Sequence, residues 1–248
     1  GVLAARGEAG GAGAADARPR ALIGRLVTCP PVAAGVGAGI GASLLNLGQF
    51  RSRVGDRVAA QADYERALAV FEALPVDVRE GDRVLTNHAF ALKRLGALAL
   101  ASDDIEGGER RYREALALDE RLVARHPADT RHRYNLTFSL SDLAFAAGKR
   151  GNIAEAVALW QRALDIRQAA LDADPKNVRA MHGVANLHAY LANAARDERR
   201  WADAVAHWRQ AHALRERLVA AQGPLPVVLL NRASVQAGLA SSLLHPAA

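Results

Sequence analysis

An aromatic residue recurs along this chain at a fixed interval, and that interval constrains the fold more than any other feature of the sequence. The aromatic residues lie at positions 64, 112, 160 and 208, so the spacing is 48 residues each time, without an insertion. Each of them begins a similar segment: YERAL at 64–68, YREAL at 112–116, WQRAL at 160–164 and WRQAH at 208–212. Self-similarity at a fixed period is the signature of a stacked repeat protein, so we expect an array of similar units.

Leucine, glycine and alanine residues follow the same 48-residue step. A leucine followed by a glycine or an alanine occurs at 47, 95, 143, 191 and 239, and single small residues recur beside the aromatic positions. We call the following set the repeat signature: Leu47, Gly48, Ala60, Tyr64, Ala67, Leu95, Gly96, Gly108, Tyr112, Ala115, Leu143, Ala144, Ala156, Trp160, Ala163, Leu191, Ala192, Ala204, Trp208 and Ala211. Agreement at five positions over four periods is too regular for chance.

Each unit contains two segments with helical spacing. In the first unit, Leu44, Leu47, Gly48 and Arg51 share one side of a helix at three- and four-residue steps, and positions 60, 64, 67 and 68 do the same on a second. Half of the residues are hydrophobic but only 5% are aromatic, a composition that favours closely packed helices over a β-sandwich. The sequence therefore predicts a pair of helices in each unit.

Turn and capping residues separate the predicted helices. Gly55-Asp56, Asp103-Asp104 and Gly151-Asn152 occupy equivalent places between the first and second helices, and Asn152 with Glu155 has the form of a capping box. Arg200 has the equivalent place in the fourth unit and cannot cap a helix, so that helix start is expected to fray. Prolines follow each second helix and should end it: Pro75, Pro127, Pro175 and Pro224.

This pattern resembles the tetratricopeptide repeat, in which small, aromatic and alanine residues follow the leucine–small pair at 12, 16 and 19 positions. The resemblance implies an all-α fold: a right-handed superhelical stack of antiparallel helix pairs, with about four repeats and an unpaired C-terminal helix. The usual period of that family is 34 residues, so the second helices are expected to be longer, at about 18–21 residues. The long unit is similar to arrays that follow bacterial serine/threonine kinase domains, although the chain has no kinase motif.

The array is predicted to begin at residue 42 and to contain units at 42–83, 84–131, 132–179 and 180–225, followed by a helix at 226–244. Residues 1–41 are rich in glycine and alanine and predict a flexible leader or tether. Segment 26–50 lacks charge and is long enough to span a bilayer, but its prolines and glycines argue against a membrane span. The last helix either covers the final unit or is the start of a truncated one.

In the resembled family, peptide contacts come from defined positions on the first helix of each unit. The resemblance carries this role to Phe90, Lys93, Phe138, Ser141, Phe145, Lys149, Asn186, Asn193 and Arg196. Lys93, Asn186 and Asn193 are similar to the residues with which some members clamp a terminal carboxylate, although Ser141 and Phe145 depart from that set. Phe138 and Phe145 lie two turns apart and either anchor a partner or pack against neighbouring helices.

Two histidines replace repeat leucines in the fourth unit. His188 and His212 stand where the other units have leucine, so we expect them to face each other inside the helix pair. A metal site would need a third ligand from His182 or His207, and a hydrogen-bonded histidine pair, or decay of the repeat near its end, is the simpler interpretation. Because burying two imidazolium charges is unfavourable, we expect the fourth unit to lose stability as the pH falls below about 6.5.

These features favour a non-catalytic scaffold in the cytoplasm that binds another protein or a peptide. The chain has no phosphate-binding loop motif or nucleophile elbow, and its one cysteine, Cys29, rules out an internal disulfide. No cofactor or metal is predicted. The net charge of +6 comes from arginines interleaved with acidic residues, which argues against nucleic-acid binding. Recruitment within a larger signalling protein, and self-association into a homodimer, are the remaining alternatives.

Overall fold

The structure is a computed structural model that describes residues 31–244, with side chains from Gly35 onward. Those residues form helices and connecting turns and contain no strand, as the repeat predicts. The helices are α1 (Pro31–Arg53), α2 (Arg57–Glu72), α3 (Val76–Arg79), α4 (Asp82–Ala101), α5 (Ile105–Arg125), α6 (Thr130–Lys149), α7 (Ile153–Ala173), α8 (Val178–Asp197), α9 (Trp201–Gln222) and α10 (Pro226–Leu243).

The first helices of the repeats are α1, α4, α6, α8 and α10, and the second helices are α2, α5, α7 and α9. The chain divides into two compact units at 1–98 and 99–248, and the division falls inside α4. Within the second unit each helix packs on its neighbour in sequence, from α5 on α6 through to α9 on α10. The described residues are thus an all-α stack of repeated helix pairs.

Capping side chains begin the second helices at the predicted residues. Asp56 accepts a hydrogen bond from the Ala59 N–H at 3.0 Å, and Asn152 accepts one from the Glu155 N–H at 3.2 Å. No side chain caps α9 at Arg200, in agreement with the sequence. Such a bond satisfies a backbone donor that the first turn leaves unpaired, so its residues fix where a helix starts.

The residue before each of these caps adopts the left-handed conformation. Glycine has that role at Gly55 and Gly151, with φ of 90° and 86°. Asp103 and Arg199 occupy the equivalent places with φ of 60° and 59°. An L-amino acid with a Cβ is strained there, whereas glycine is not, so the fourth unit carries both an uncapped helix and a strained turn.

Small residues let the paired helices approach closely. A Cβ atom added at Gly48 of α1 would lie 2.7 Å from Cε1 of Tyr64 on α2, closer than two carbon atoms can approach without a shift. In α7, Ala156 and Ala163 are fully buried beside Trp160. The aromatic ring fills the space that the glycine or alanine leaves, and this contact recurs at the repeat interval.

A polar network joins α5 to the turn between α6 and α7. The buried carboxylate of Glu109 forms ion pairs with Arg113, at 2.5 Å, and with Arg150, at 3.2 Å. Both arginines also reach Glu155 of α7, at 2.8 Å and 3.0 Å. The buried acid in this part of the stack is therefore compensated by cations from two elements.

The structure corrects the predicted start of the array. Helix α1 begins at Pro31, so residues 31–41 are helical although they were assigned to a flexible leader. Packing overrides the weak helix propensity of glycine here, because Gly41 lets the Phe71 ring approach to within 2.4 Å of the place where a Cβ would lie. Residues 1–30, with Cys29 and the beginning of segment 26–50, lie outside the described residues.

Residues 31–50, the described part of segment 26–50, lie in α1. Within residues 31–244, no helix has the length and apolar character that crossing a membrane requires. Leu47 of this helix is 40% exposed, unlike the equivalent leucines of α4, α6 and α8, because no described helix precedes α1 to cover it.

The second helices differ in length more than the sequence suggests. Helices α5 and α7 have 21 residues and α9 has 22, but α2 has only 16. Pro75 lies four residues earlier in its unit than Pro127 does in the next, so α2 ends sooner. The short helix α3 occupies the residues that remain before α4.

We expect Ala156→Phe to lower the free energy of unfolding by about 1–3 kcal/mol, because a large ring at this closed contact forces the helices apart. The matched control is Ala158→Phe, at an exposed position of the same helix. Urea unfolding followed by circular dichroism measures both variants. Equal stability of the two would show that the contact is not tight.

We expect Arg199→Gly to raise the free energy of unfolding by about 0.5–1 kcal/mol, because glycine relieves the left-handed strain at this turn. Glu198→Gly is the comparison, since Glu198 has φ of −84° and gains only backbone freedom when it is replaced. That variant should lose about 0.5–1 kcal/mol. Thermal melts that shift in the same direction for both variants would contradict the strain.

Candidate partner-binding face of the first helices

Helices α6 and α8 each present a row of side chains, and the two rows are neighbours. We define the α6–α8 face by Tyr134, Phe138, Ser141 and Phe145 of α6 and by Arg179, His182, Asn186 and Asn193 of α8. The rows touch where the Tyr134 hydroxyl donates a hydrogen bond to the Arg179 carbonyl at 3.3 Å. One row is mainly aromatic and the other is polar and cationic.

Phe138 and Phe145 are exposed large apolar residues on this face. Phe138 is 45% exposed and Phe145 is 42% exposed, yet neither ring is unsupported. Phe138 meets Tyr134 edge-on at 5.3 Å between ring centroids, and Phe145 meets Tyr190 of α8 at 4.8 Å. Each ring therefore packs at one edge on its neighbours and leaves another part open to solvent.

Phe145 also connects the face to the interior of the helix pair. Its ring meets the signature residue Trp160 of α7 edge-on at 5.5 Å, and Trp160 in turn lies 5.6 Å from Tyr190. The three rings fix one another, which stabilises the position of Phe145 before any partner arrives.

Two arginines of the second helices are buried beneath the face. Arg167 of α7 is 5% exposed, and Arg215 of α9, one 48-residue repeat later in sequence, is 3% exposed. The guanidinium of Arg167 lies 3.5 Å from the Tyr134 ring centroid, and its Nε donates to the Thr137 hydroxyl at 2.7 Å. Burial lowers the pKa of both guanidinium groups below their usual value, but an arginine remains protonated at neutral pH.

Arg215 contacts the polar row of the face directly. Its Nη1 donates to Nδ1 of His182 at 3.0 Å, and its Nη2 donates to Oδ1 of Asn186. His182 uses its other nitrogen with Gln222 Oε1 at 2.9 Å. Arginine only donates, so these bonds determine that His182 accepts at Nδ1 and that the oxygen of the Asn186 amide faces inward.

Four residues of this site were not predicted from the sequence: Tyr134, Arg167, Arg179 and Arg215. A signal for the buried pair exists in the sequence, because an arginine at 167 is in phase with the core positions 160, 163, 164 and 171 of its helix. An arginine in a buried stripe, repeated one unit later, indicates a structural or binding role rather than a solvated charge.

The other residues assigned from the resemblance have varied surroundings. Phe90 of α4 is half-buried under Arg94, whose guanidinium lies 4.6 Å from its ring centroid. Ser141 donates to the Thr137 carbonyl at 2.8 Å, and Lys149 Nζ donates to the Leu100 carbonyl at 3.4 Å. Arg196 donates a hydrogen bond to its neighbour Asp197. Its side chain is partly buried, as are those of Lys93 and Asn193.

The predicted pairing of His188 with His212 is wrong. His188 pairs with His207 instead, with 3.0 Å between their Nδ1 atoms, so one ring donates and the other accepts. His207 lies between Ala204 and Ala211 at three- and four-residue spacing and so shares their side of α9, which faces α8. His212 is a fifth of a turn or more away from that side and lies 3.8 Å from Glu216.

Burial shapes the titration of the histidine pair. Burial, followed by repulsion from His207, lowers the pKa of His188 to about 4. Burial also lowers the pKa of His207, with Asp203 opposing the shift and Arg200 adding to it. Among residues 31–244, no group of three histidine, cysteine or acidic side chains is arranged to hold a metal ion.

Comparison with known proteins finds a family model that matches part of the chain. Residues 139–175 and 184–224 match the family model of the tetratricopeptide repeat. No protein of curated function matches the sequence at a significant level.

Solved structures share the fold at low sequence identity. The crystal structure of BtubC (BKLC) from P. vanneervenii has a TM-score of 0.61 and 17% identity, over 93% of this chain and 84% of that one. The crystal structure of a putative kinesin light chain of Podosopora anserina, with nearly identical TPR-like repeats, has a TM-score of 0.57 and 17% identity, over 83% of this chain and 86% of that one. Likeness at this identity shows the shared architecture alone.

We expect the histidine pair to make stability depend on pH. The unfolded chain binds protons as the pH falls through about 6.5, whereas folded His188 resists protonation until about 4. The free energy of unfolding should therefore fall between those values and level off below them. Both rings are partly exposed, so we expect a loss of about 1–2 kcal/mol between pH 7.5 and pH 5.

Thermal or urea unfolding at several pH values measures this loss. His188→Leu, which restores the residue of the other units, should remove most of the pH dependence, while His212→Leu should retain it. The same pH slope in the wild type and in His188→Leu would contradict the pair.

Proposed function

We propose that this chain, a protein of tetratricopeptide repeats, is a non-catalytic interaction scaffold that binds a peptide segment of another protein on the α6–α8 face. The observation that carries this proposal is the exposure of Phe138 and Phe145, at 45% and 42%, on one side of a single first helix. Aromatic side chains that remain open on a folded surface are typical anchors for a protein partner.

The packing of these rings supports the same proposal. Phe145 is fixed edge-on by Trp160 and Tyr190, so little side-chain freedom is lost when a ligand covers it. Phe138 stands seven residues earlier on α6, two turns of the helix, which suits two apolar side chains of one extended or helical segment.

Further contacts are proposed along the first helices. The resemblance assigns this role to residues on either side of the aromatic pair and between its two members: Phe90, Lys93, Ser141, Lys149, Asn186, Asn193 and Arg196. All of them except Phe90 have polar side chains. The proposal does not require a clamp for a terminal carboxylate, because Ser141 and Phe145 depart from the residues of such a clamp.

Recruitment within a larger signalling protein is a second proposal. It rests on the 48-residue units, which are similar to arrays that follow bacterial kinase domains. Nucleic-acid binding through arginines and formation of a homodimer stay predictions, and the first of these requires an affinity that falls steeply with salt.

We expect the double variant Phe138→Asp, Phe145→Asp to bind peptide ligands at least tenfold more weakly than the wild type, because it removes both anchors and adds charge. Ligands come from a displayed library of random dodecapeptides selected on the wild-type chain. Fluorescence anisotropy of the labelled peptides measures each dissociation constant.

The matched control is Val58→Asp, Val76→Asp, which makes the same change in charge at two exposed apolar residues of α2 and α3. Circular dichroism confirms that each variant is folded. Peptides that bind both double variants as tightly as the wild type would contradict the proposed face, as would a library from which no peptide is enriched.

A further inference from the structure

Two buried carboxylates of the described residues have opposite charges beside them. The fully buried Asp63 carboxylate lies 2.8 Å from Arg51 and 3.4 Å from Arg66, and Glu109 is compensated by Arg113 and Arg150. A charge taken out of water without such a partner is costly, so a buried charge that lacks one needs an explanation.

Arg167 and Arg215 differ from these two carboxylates. Neither guanidinium lies within ion-pair distance of a carboxylate among residues 31–244, although both are more than nine-tenths buried. The Nε of Arg215 is buried and has no hydrogen-bond partner. The equivalent position holds a phenylalanine at Phe71 and an aspartate at Asp119, so the stack does not require a cation there.

A third arginine adds to this charge at the surface. Arg179 is exposed in the first turn of α8, and its guanidinium lies 3.4 Å from the centroid of the same Tyr134 ring that Arg167 contacts. The described residues place no carboxylate within ion-pair distance of Arg179. Two guanidinium groups thus share one aromatic ring, and their mutual repulsion is one cause of the lowered pKa of Arg167.

Helix α8 has a glycine where it passes the guanidinium of Arg167. A Cβ at Gly183 of α8 would lie 2.4 Å from Nη1 of Arg167, so a larger residue there would require the guanidinium to shift. The equivalent positions of the neighbouring units hold larger residues, namely Asn135 and Asn231. The glycine and the buried arginine therefore form a matched pair specific to this part of the array.

Asn186 presents a hydrogen-bond donor next to this charge. Its Oδ1 accepts from Arg215, which has no acceptor atoms, so the amide nitrogen points away from Arg215. Asn186 is exposed and its amide nitrogen can donate two hydrogen bonds. Arg179 and Asn186 are seven residues apart on α8, two turns along one side of the helix, and both present donors.

We propose that the α6–α8 face recognises carboxylate side chains of an acidic partner peptide, which Arg179 and Asn186 bind at the surface above the uncompensated Arg167 and Arg215. This inference rests on the proposed function and adds the chemistry of the ligand. The charge complementarity selects aspartate or glutamate, and Phe138 and Phe145 select an apolar side chain in the same segment.

The test uses the full chain and the dodecapeptides selected on it. Selected sequences should be enriched in aspartate and glutamate beside an aromatic or aliphatic residue. Synthetic versions in which each acid is replaced by its amide, aspartate by asparagine and glutamate by glutamine, should bind at least tenfold more weakly. Arg179→Gln should weaken binding of the acidic peptide about fivefold or more.

Arg209→Gln is the matched control, because Arg209 is exposed on α9 and the change lowers the net charge by the same amount. It should leave the dissociation constant within twofold. Equal weakening by Arg209→Gln and Arg179→Gln would mean that overall charge, rather than this site, attracts the peptide, and would overturn the inference.

Asn186→Asp separates binding from folding. The new carboxylate would lie beside Arg215 and compensate the buried charge, so the melting temperature should stay equal or rise. The same carboxylate would repel the ligand, so the affinity for the acidic peptide should fall at least tenfold. A lower melting temperature, or unchanged binding, would overturn the proposed site.

Two further outcomes separate the inference from the proposed function. Neutral peptides that are selected, and that bind Phe138→Asp, Phe145→Asp weakly, would overturn the acidic ligand but support the binding face. A labelled dodecathymidylate that binds more tightly than every acidic peptide, and that loses affinity in Arg179→Gln, would overturn the inference in favour of phosphate recognition.

Discussion

The contact between a small residue on one helix and an aromatic ring on its partner underlies the whole stack. Gly48 of α1 against Tyr64 of α2 brings the two helix backbones close enough for the remaining apolar side chains to interlock. One helix pair leaves apolar surface uncovered, and the next pair covers it, so the contact must recur at a fixed interval. The 48-residue period in the sequence is the record of that geometric requirement.

Much of the fold follows from the sequence because its determinants are local. A cap such as Asp56 or Asn152 acts within three residues, and a proline such as Pro75 acts on the turn that precedes it. The early start of α1 could not be predicted in the same way, since residues 31–41 have the composition of a linker. They are helical because Gly41 packs against Phe71, thirty residues away in the chain.

The candidate site was less predictable, because its chemistry depends on which faces meet. The resemblance pointed to Phe138, Phe145 and Asn186, but the second helices supply the charge beneath them. Periodicity can show that Arg167 is in phase with a buried stripe, but only the packing shows that no carboxylate accompanies it. The predicted pairing of His188 with His212 was wrong for a related reason, since the rotation of α9 about its axis decides that His207, five residues before His212, faces α8.

The placement of the tryptophans has a consequence for how unfolding of this chain is observed. All three, Trp160, Trp201 and Trp208, lie in α7 and α9, while α1, α2 and α4 contain none. Tryptophan fluorescence, excited selectively, therefore reports only on residues after Leu98, whereas far-ultraviolet circular dichroism sums over every helix. The gap between the two transition midpoints would measure how far cooperativity extends along the array.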